Sequence, residues 1–150
     1  PPPHNSDSIE PEPVHAGQLA GSNSEVNGLI HERSGQKLTA HVLRAGNRKR
    51  VVYPGSGIAN ELLTPDLRCT MEVIWVEAPK GAGSGGHPHE HDGEECGIVL
   101  QGTMRFWAGE QEYLLGKQDS IYLSSRLPHR WTNPGDETLV AVWIISPPTF

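Results

Sequence analysis

The chain has 150 residues, a formal net charge of −6, 35% hydrophobic residues and 20% charged ones. That length suits one domain with a sizeable core, and the acidic balance argues against direct nucleic-acid binding, which needs a basic excess. No apolar run approaches the roughly 18 residues of a membrane-spanning helix, and no signal peptide pattern stands at the start, so a cytoplasmic protein with no membrane partner is expected.

Residues 1–28 combine Pro1-Pro2-Pro3, Pro11 and Pro13 with Ser, Asn, Gly and acidic residues. Too few apolar side chains are present to offset the entropy of ordering, so this stretch reads as a flexible arm or linker. It suits either the hinge after a separate DNA-binding domain or the start of a stand-alone protein. Residues 29–150 form the expected folded domain, a succession of short strands. Lys37 to Leu43 alternates weakly, Arg50 to Tyr53 continues until Pro54-Gly55, and Ile58 to Leu63 ends at Thr64-Pro65-Asp66. Arg68 to Glu77 is richer in β-branched and aromatic residues. Pro79 to Gly86 is a glycine-rich loop. Cys96 to Leu100, Thr103 to Trp107, Gln111 to Leu115, Ser120 to Leu123, Arg130 to Thr132 and Thr138 to Ile145 complete the set. No segment has a helical period, so the domain is all-β, a sandwich or barrel.

Two short histidine motifs carry the chemistry. The first runs from Gly83 through His89-x-His91 and Glu95 to Gly102; the second holds Pro128-His129 and Asn133. Side chains at i and i+2 of a strand share a face, so His89 and His91 can point into one cavity. Glu95 then points inward from the next strand, and His129 comes from a distant strand folded back beside it. Three imidazoles and a carboxylate suit a divalent transition metal, with Fe, Mn, Ni and Zn the candidates. The bland alternatives are a solvated histidine-rich loop and a metal that only stabilises the fold. His87 shares the parity of His89 and His91, as a bystander, an alternate ligand or part of the cavity mouth. His4, His15, His31 and His41 have no partner motif and read as surface or core residues.

These motifs resemble the paired signatures of the cupin superfamily, whose fold is a small jelly-roll β-barrel. The resemblance implies a single-domain cupin with metal motifs over 83–102 and 116–133 and four ligands, His89, His91, Glu95 and His129. In the second motif Gln118 stands where the pattern usually has glycine. Over residues 44 to 150, the stretches RKRVVYPGSG, HDGEECGIVLQG and DSIYLSSRLPHRWTNPGDE look like the C-terminal cupin domains of transcription regulators with an Xre-type helix-turn-helix. In that group the cupin domain resembles a ligand sensor. A similar architecture occurs in a non-haem iron epoxidase acting on a phosphonate, so the resemblance fixes fold more firmly than activity.

Around the metal, parity from Glu95 puts Val99 inward. Across the next turn either Met104 and Phe106 or Arg105 and Trp107 face in, and Trp131 shares the parity of His129. Arg105 and Arg130 are candidates to pair a ligand carboxylate or phosphonate, or plain surface charges. Tyr122 is a candidate donor or an outward packing residue. The basic group Arg44 with Arg48-Lys49-Arg50 reads as a solvated strand end. Cys96 faces away from Glu95, Cys69 is expected in another strand, and both read as reduced thiols. The last strand is apolar on both faces, which predicts a homodimer or cover from residues 37 to 63. Two functions follow. One is a module that binds a small metabolite and signals to tethered DNA-binding domains. The other is a metal enzyme, an oxygenase or a metal-dependent isomerase or lyase, in which Glu95 is a ligand or, when displaced, a general base. A storage or structural role ranks last.

Overall fold

Alternation of apolar and polar side chains decides which face of each strand turns inward. A computed structural model describes residues 40–53 and 55–149. The expected arm and residues 37–39 of the expected first strand lie outside them, and residues 40–43 are not in a strand. The described strands are β1 (Arg50–Val52), β2 (Ala59–Leu62), β3 (Glu72–Ala78), β4 (Glu94–Gln101), β5 (Met104–Ala108), β6 (Gln111–Leu115), β7 (Ser120–Ser124), β8 (His129–Thr132) and β9 (Leu139–Ser146). No helix occurs among the described residues.

All pairings are antiparallel. The larger sheet has the order β1-β2-β3-β9-β4-β7, and the smaller has β6-β5-β8. The segment from the glycine-rich loop extends the smaller sheet through two isolated bridges, Gly83 with Thr132 and His89 with His129. This is the expected all-β architecture, built as two facing sheets whose strand pairing does not close into a continuous barrel.

The core lies between the sheets. Ile74, Val76 and Ala78 of β3, Leu139, Ala141, Trp143 and Ile145 of β9, and Met104 and Phe106 of β5 are all buried. Full burial of a side chain such as Phe106 or Leu62 contributes about 1.5–3 kcal/mol each. The parity question on β5 is thereby answered: Met104 and Phe106 face in, and Arg105 and Trp107 face out. Asn133 is fully buried and acts as a clamp. Its amide donates to the carbonyls of Ala78 (2.9 Å) and Glu137 (2.8 Å), while its side-chain oxygen accepts from Gly135 N–H (2.9 Å). The trailing residue of the second motif thus fixes the β8–β9 connection.

Three local expectations are corrected. The strand expected from Arg68 begins only at Glu72, because Asp66 captures the backbone N–H and guanidinium of Arg68 in a turn. Cys69 consequently sits in a loop, not a strand. β1 and β2 extend the edge of the large sheet beside β3 rather than lying across β9. On the outer face of that sheet Val140 and Val142 are half-buried, and Ile98, Tyr122 and Ile144 are exposed. Both cysteines are free, and Cys96 is exposed on the face opposite Glu95, as expected. No helix among the described residues is long and apolar enough to cross a membrane.

Candidate metal centre

Glu95 is the organising residue. It lies on the inner face of β4 and is 4% exposed. Its Oε2 accepts a 2.5 Å hydrogen bond from the indole N–H of Trp143, on the neighbouring strand β9. Trp143 is held there by its neighbours. Its ring packs directly on Gly97, where an added Cβ would come within 1.9 Å of ring carbon. The ring also stacks on Phe106, with centroids 5.4 Å apart and planes at 22°. A glycine at 97 is therefore what lets the indole reach Glu95.

The other carboxylate oxygen, Oε1, faces two imidazoles. His91 Nε2 is 2.6 Å away and His129 Nε2 is 3.1 Å away. His129 enters from the start of β8, its backbone exchanging both hydrogen bonds with His89. Its ring lies parallel to Phe106, at 6.2 Å between centroids. His91 is pinned by its backbone N–H, which donates to the Ser125 carbonyl at 2.9 Å.

The other ring nitrogens settle the tautomers. His129 Nδ1 is 2.8 Å from the Leu127 carbonyl, and His91 Nδ1 is 3.0 Å from the Asp92 carbonyl. A carbonyl can only accept, so each Nδ1 carries the hydrogen and each neutral ring has a bare Nε2. Two lone pairs then converge on a carboxylate oxygen. Oε1 lies at ion-pair distance from both rings. The conflict is relieved by a cation between the three atoms, or by protonating a ring. Burial pushes the His129 pKa down, but Glu95 and the Leu127 carbonyl together outweigh it and leave it raised. For Glu95, burial raises the pKa, yet His129, Trp143 and His91 together hold it below the ordinary carboxylate range.

Backbone carbonyls that fix the tautomer of a ligating histidine are the usual outer shell of a metal site. The donor set therefore fits a divalent transition metal. Among the described residues, the ligand atoms of His91, Glu95 and His129 lie within 4.8 Å of one another. His89 lines the same cavity but turns its Nε2 to the Ser84 carbonyl at 2.7 Å, so it stands apart from that group. His87 is exposed and does not line the cavity.

The cavity beside this cluster holds about 360 Å³. Met104 and Trp131 line it, as does Trp143. Val99 and Phe106 are buried in the core behind it. Arg105, Arg130 and Tyr122 lie elsewhere. Arg105 pairs with Glu112 at 3.1 Å, and Arg130 lies 3.7 Å over the Trp107 ring, both on the outer face of the small sheet. Tyr122 is exposed on the outer face of the large one. Strand parity explains all three: each neighbours an inward residue in sequence. The sequence reading overlooked Trp143 as a partner of Glu95. It also overlooked a buried pair in which Tyr53, on the cavity wall, donates its hydroxyl to Glu72. Burial, then Glu72, push the Tyr53 hydroxyl pKa far up. An acidic residue opening the inward parity of β3, ahead of Ile74 and Val76, was the available signal for Glu72.

Residues 74–145 match the family model described as Cupin domain. No curated protein resembles the chain closely enough in sequence to count as a relative. Solved structures share the fold. The cupin domain of an XRE family transcriptional regulator from Enterobacter cloacae is 20% identical with a TM-score of 0.52, over 59% of this chain and 95% of that one. An HTH_3 family transcriptional regulator from Vibrio cholerae is 22% identical with a TM-score of 0.52, over 61% of this chain and 51% of that one. A sugar phosphate isomerase of the cupin superfamily from Silicibacter pomeroyi is 19% identical with a TM-score of 0.60, over 71% of this chain and 75% of that one. With nine antiparallel strands among the described residues, a histidine–glutamate cluster between facing sheets and this match over residues 74–145, the described residues have the cupin fold.

Proposed function

We propose that this protein is a metal-binding cupin that takes a small organic metabolite in the cavity beside His91, Glu95 and His129, as the ligand-sensing domain of a helix-turn-helix/cupin transcription regulator. The observation that carries the metal reading is the convergence of two Nε2 lone pairs on one carboxylate oxygen, each ring fixed by a backbone carbonyl. His89, on the wall of the same cavity, is the proposed fourth ligand. Fe, Mn, Ni or Zn suits the set. The regulator assignment is supported by the likeness to the two regulator structures and by the acidic chain, which leaves DNA binding to another domain. A cytoplasmic homodimer fits that role, with the apolar outer face of β9 and β4 as the contact.

A metal with open positions supplies Lewis acidity and a place for an oxygen donor of the ligand. The chain's own groups do the rest. Trp143 holds Glu95 by Oε2, so Oε1 alone is presented. Leu127 and Asp92 carbonyls hold the hydrogen of each neutral ring on Nδ1, so Nε2 is the atom left to bind a metal. The apolar walls exclude water and strengthen polar contacts within.

The same site favours a second reading, a stand-alone metal enzyme, because three close donors leave positions for a substrate. There Glu95, if displaced from the metal, is the general base. Elemental mass spectrometry on protein purified without nickel or oxygen tests the shared premise. About one Fe, Mn, Ni or Zn per chain is expected, and its retention in both Glu95→Ala and His91→Ala would sink the site. Turnover then separates the readings: metabolite binding without product formation supports the sensor, and consumption of O₂ or conversion of a bound acid or sugar supports the enzyme.

A further inference from the structure

The cavity also contains a buried polar group that no described residue satisfies. Besides the histidine cluster, its wall includes Tyr53, Ser56, Asn60 and Thr149. Three of these spend their hydroxyls inside the protein. Tyr53 donates to Glu72, and Thr149 reaches Glu72 Oε2 through its hydroxyl at 3.3 Å. Ser56 Oγ donates to the Tyr53 carbonyl at 3.0 Å and accepts from Ile58 N–H at 3.2 Å. Asn60 differs. It sits on the inward parity of β2 beside Leu62, is 4% exposed, and its Oδ1 makes no hydrogen bond among the described residues. The apolar lining nearby, Ile58, Ile74, Val76 and Ile145, offers no donor, and no described Lys or Arg lines the cavity.

An unpaired buried amide costs stability, and a well-packed leucine would avoid that cost. Keeping such a group at a binding wall makes sense when the ligand supplies the missing partner. Residues of this kind discriminate strongly, because a ligand lacking the partner leaves them unpaired. With no Lys or Arg among the described lining residues, the wall around Asn60 does not suit a second anionic group, and a hydroxyl suits a carboxamide in either orientation.

We propose that Asn60 is a specificity-determining residue that recognises a hydroxyl group on an otherwise apolar small molecule, whose oxygen-donor head lies at the His91–Glu95–His129 cluster. This rests on the metal-binding reading above.

The test is calorimetric titration of the metal-loaded full chain with straight-chain carboxylates from butanoate to octanoate, each compared with its terminally hydroxylated counterpart. At least one hydroxy acid should bind about 10-fold tighter than its parent, and Asn60→Leu should remove that preference. No preference anywhere in the series, or one that survives in Asn60→Leu, overturns the proposal. The ligand-free Asn60→Leu protein should melt a few degrees higher than wild type, as expected when a binding residue is held at the expense of stability. A lower melting temperature, or failure to fold, would mark Asn60 as structural and overturn it too. Failure of the metal reading has a different signature: the chain would bind no metal, and metal would not affect the affinity of the parent acids. The hydroxyl preference is then read on the metal-free chain by the same criteria.

Discussion

Glu95 and Glu72 are both carboxylates turned inward between the sheets, 4% and 1% exposed. They are stabilised in opposite ways. Glu72 is surrounded by hydrogens: the Tyr53 hydroxyl, the Thr149 hydroxyl and the Thr149 backbone N–H. Glu95 has one such donor, Trp143, and its other oxygen faces two nitrogens with none to give. A buried carboxylate ringed by donors is complete within the chain, whereas one ringed by lone pairs calls for a cation. Burial alone therefore does not mark a functional acid; the direction of the surrounding hydrogens does.

The largest effects should separate these two acids by metal content. Alanine at His91, Glu95 or His129 should lower metal affinity more than about 100-fold, beyond the roughly 10–100-fold typical of outer-shell changes. Trp143→Phe should fall within that outer-shell range. Glu72→Gln should leave metal stoichiometry unchanged by elemental analysis; loss of metal there would break the comparison.

Stability should separate them the other way. Glu72→Leu leaves the Tyr53 hydroxyl without its acceptor and should cost about 1–3 kcal/mol in denaturant unfolding. Adding Tyr53→Phe should recover part of that loss, since both partners are then apolar. Full additivity of the two changes would mean the pair is not coupled.

The pH dependence sharpens the contrast at Glu95. Its folded pKa is lowered, so its contribution is present above the unfolded value and lost as pH falls through the folded one. His129 is raised, so its contribution is present below the unfolded value and lost as pH rises through the folded one. Metal-free protein should thus be most stable between the two and lose stability on the alkaline side. Metal affinity should rise over that same alkaline limb, because the ligand nitrogens must be bare. Melting curves against pH, with and without metal, should slope oppositely there.

The smallest effect is a control remote from both acids. Gln118 has a φ of 73°, the only positive value among described residues other than glycine. It sits in the turn where Asp119 N–H donates to the Gly116 carbonyl at 3.0 Å. A side chain in this left-handed region costs about 1–2 kcal/mol, partly offset by the entropy glycine loses on folding. Gln118→Gly should therefore stabilise by roughly 0.5–1 kcal/mol, equally with and without metal. A gain that changed with metal would tie this turn to the site.

Much of this arrangement was legible in advance. The strands from Arg50 onward follow from alternation and turn residues, and the spacing of His89, His91, Glu95 and His129 announced a candidate metal set, of which the last three come together. Parity from Glu95 placed Val99 and left two choices for β5. What was not legible involves contacts between distant positions. Trp143 reads as one more apolar residue of β9 until the β4–β9 register sets it opposite Gly97. The arginines at 105 and 130 look like ligand clamps until their outward parity is known. His89 and His91 share strand parity, yet the backbone bridge at His89 and the Ser84 carbonyl turn the first ring away from the group formed by the second.

The sequence by itself determined the all-β class, the likeness of its two motifs to the cupin pattern and the types of atom available to a metal. These depend on local spacing, which strand geometry converts directly into shared faces. Only the tertiary structure decided which hydrogens point where: carbonyls on both Nδ1 atoms, an indole on Glu95, hydroxyls on Glu72 and, among the described residues, nothing on Asn60 Oδ1. Those outcomes rest on the register of strands far apart in the chain, and no local pattern encodes it.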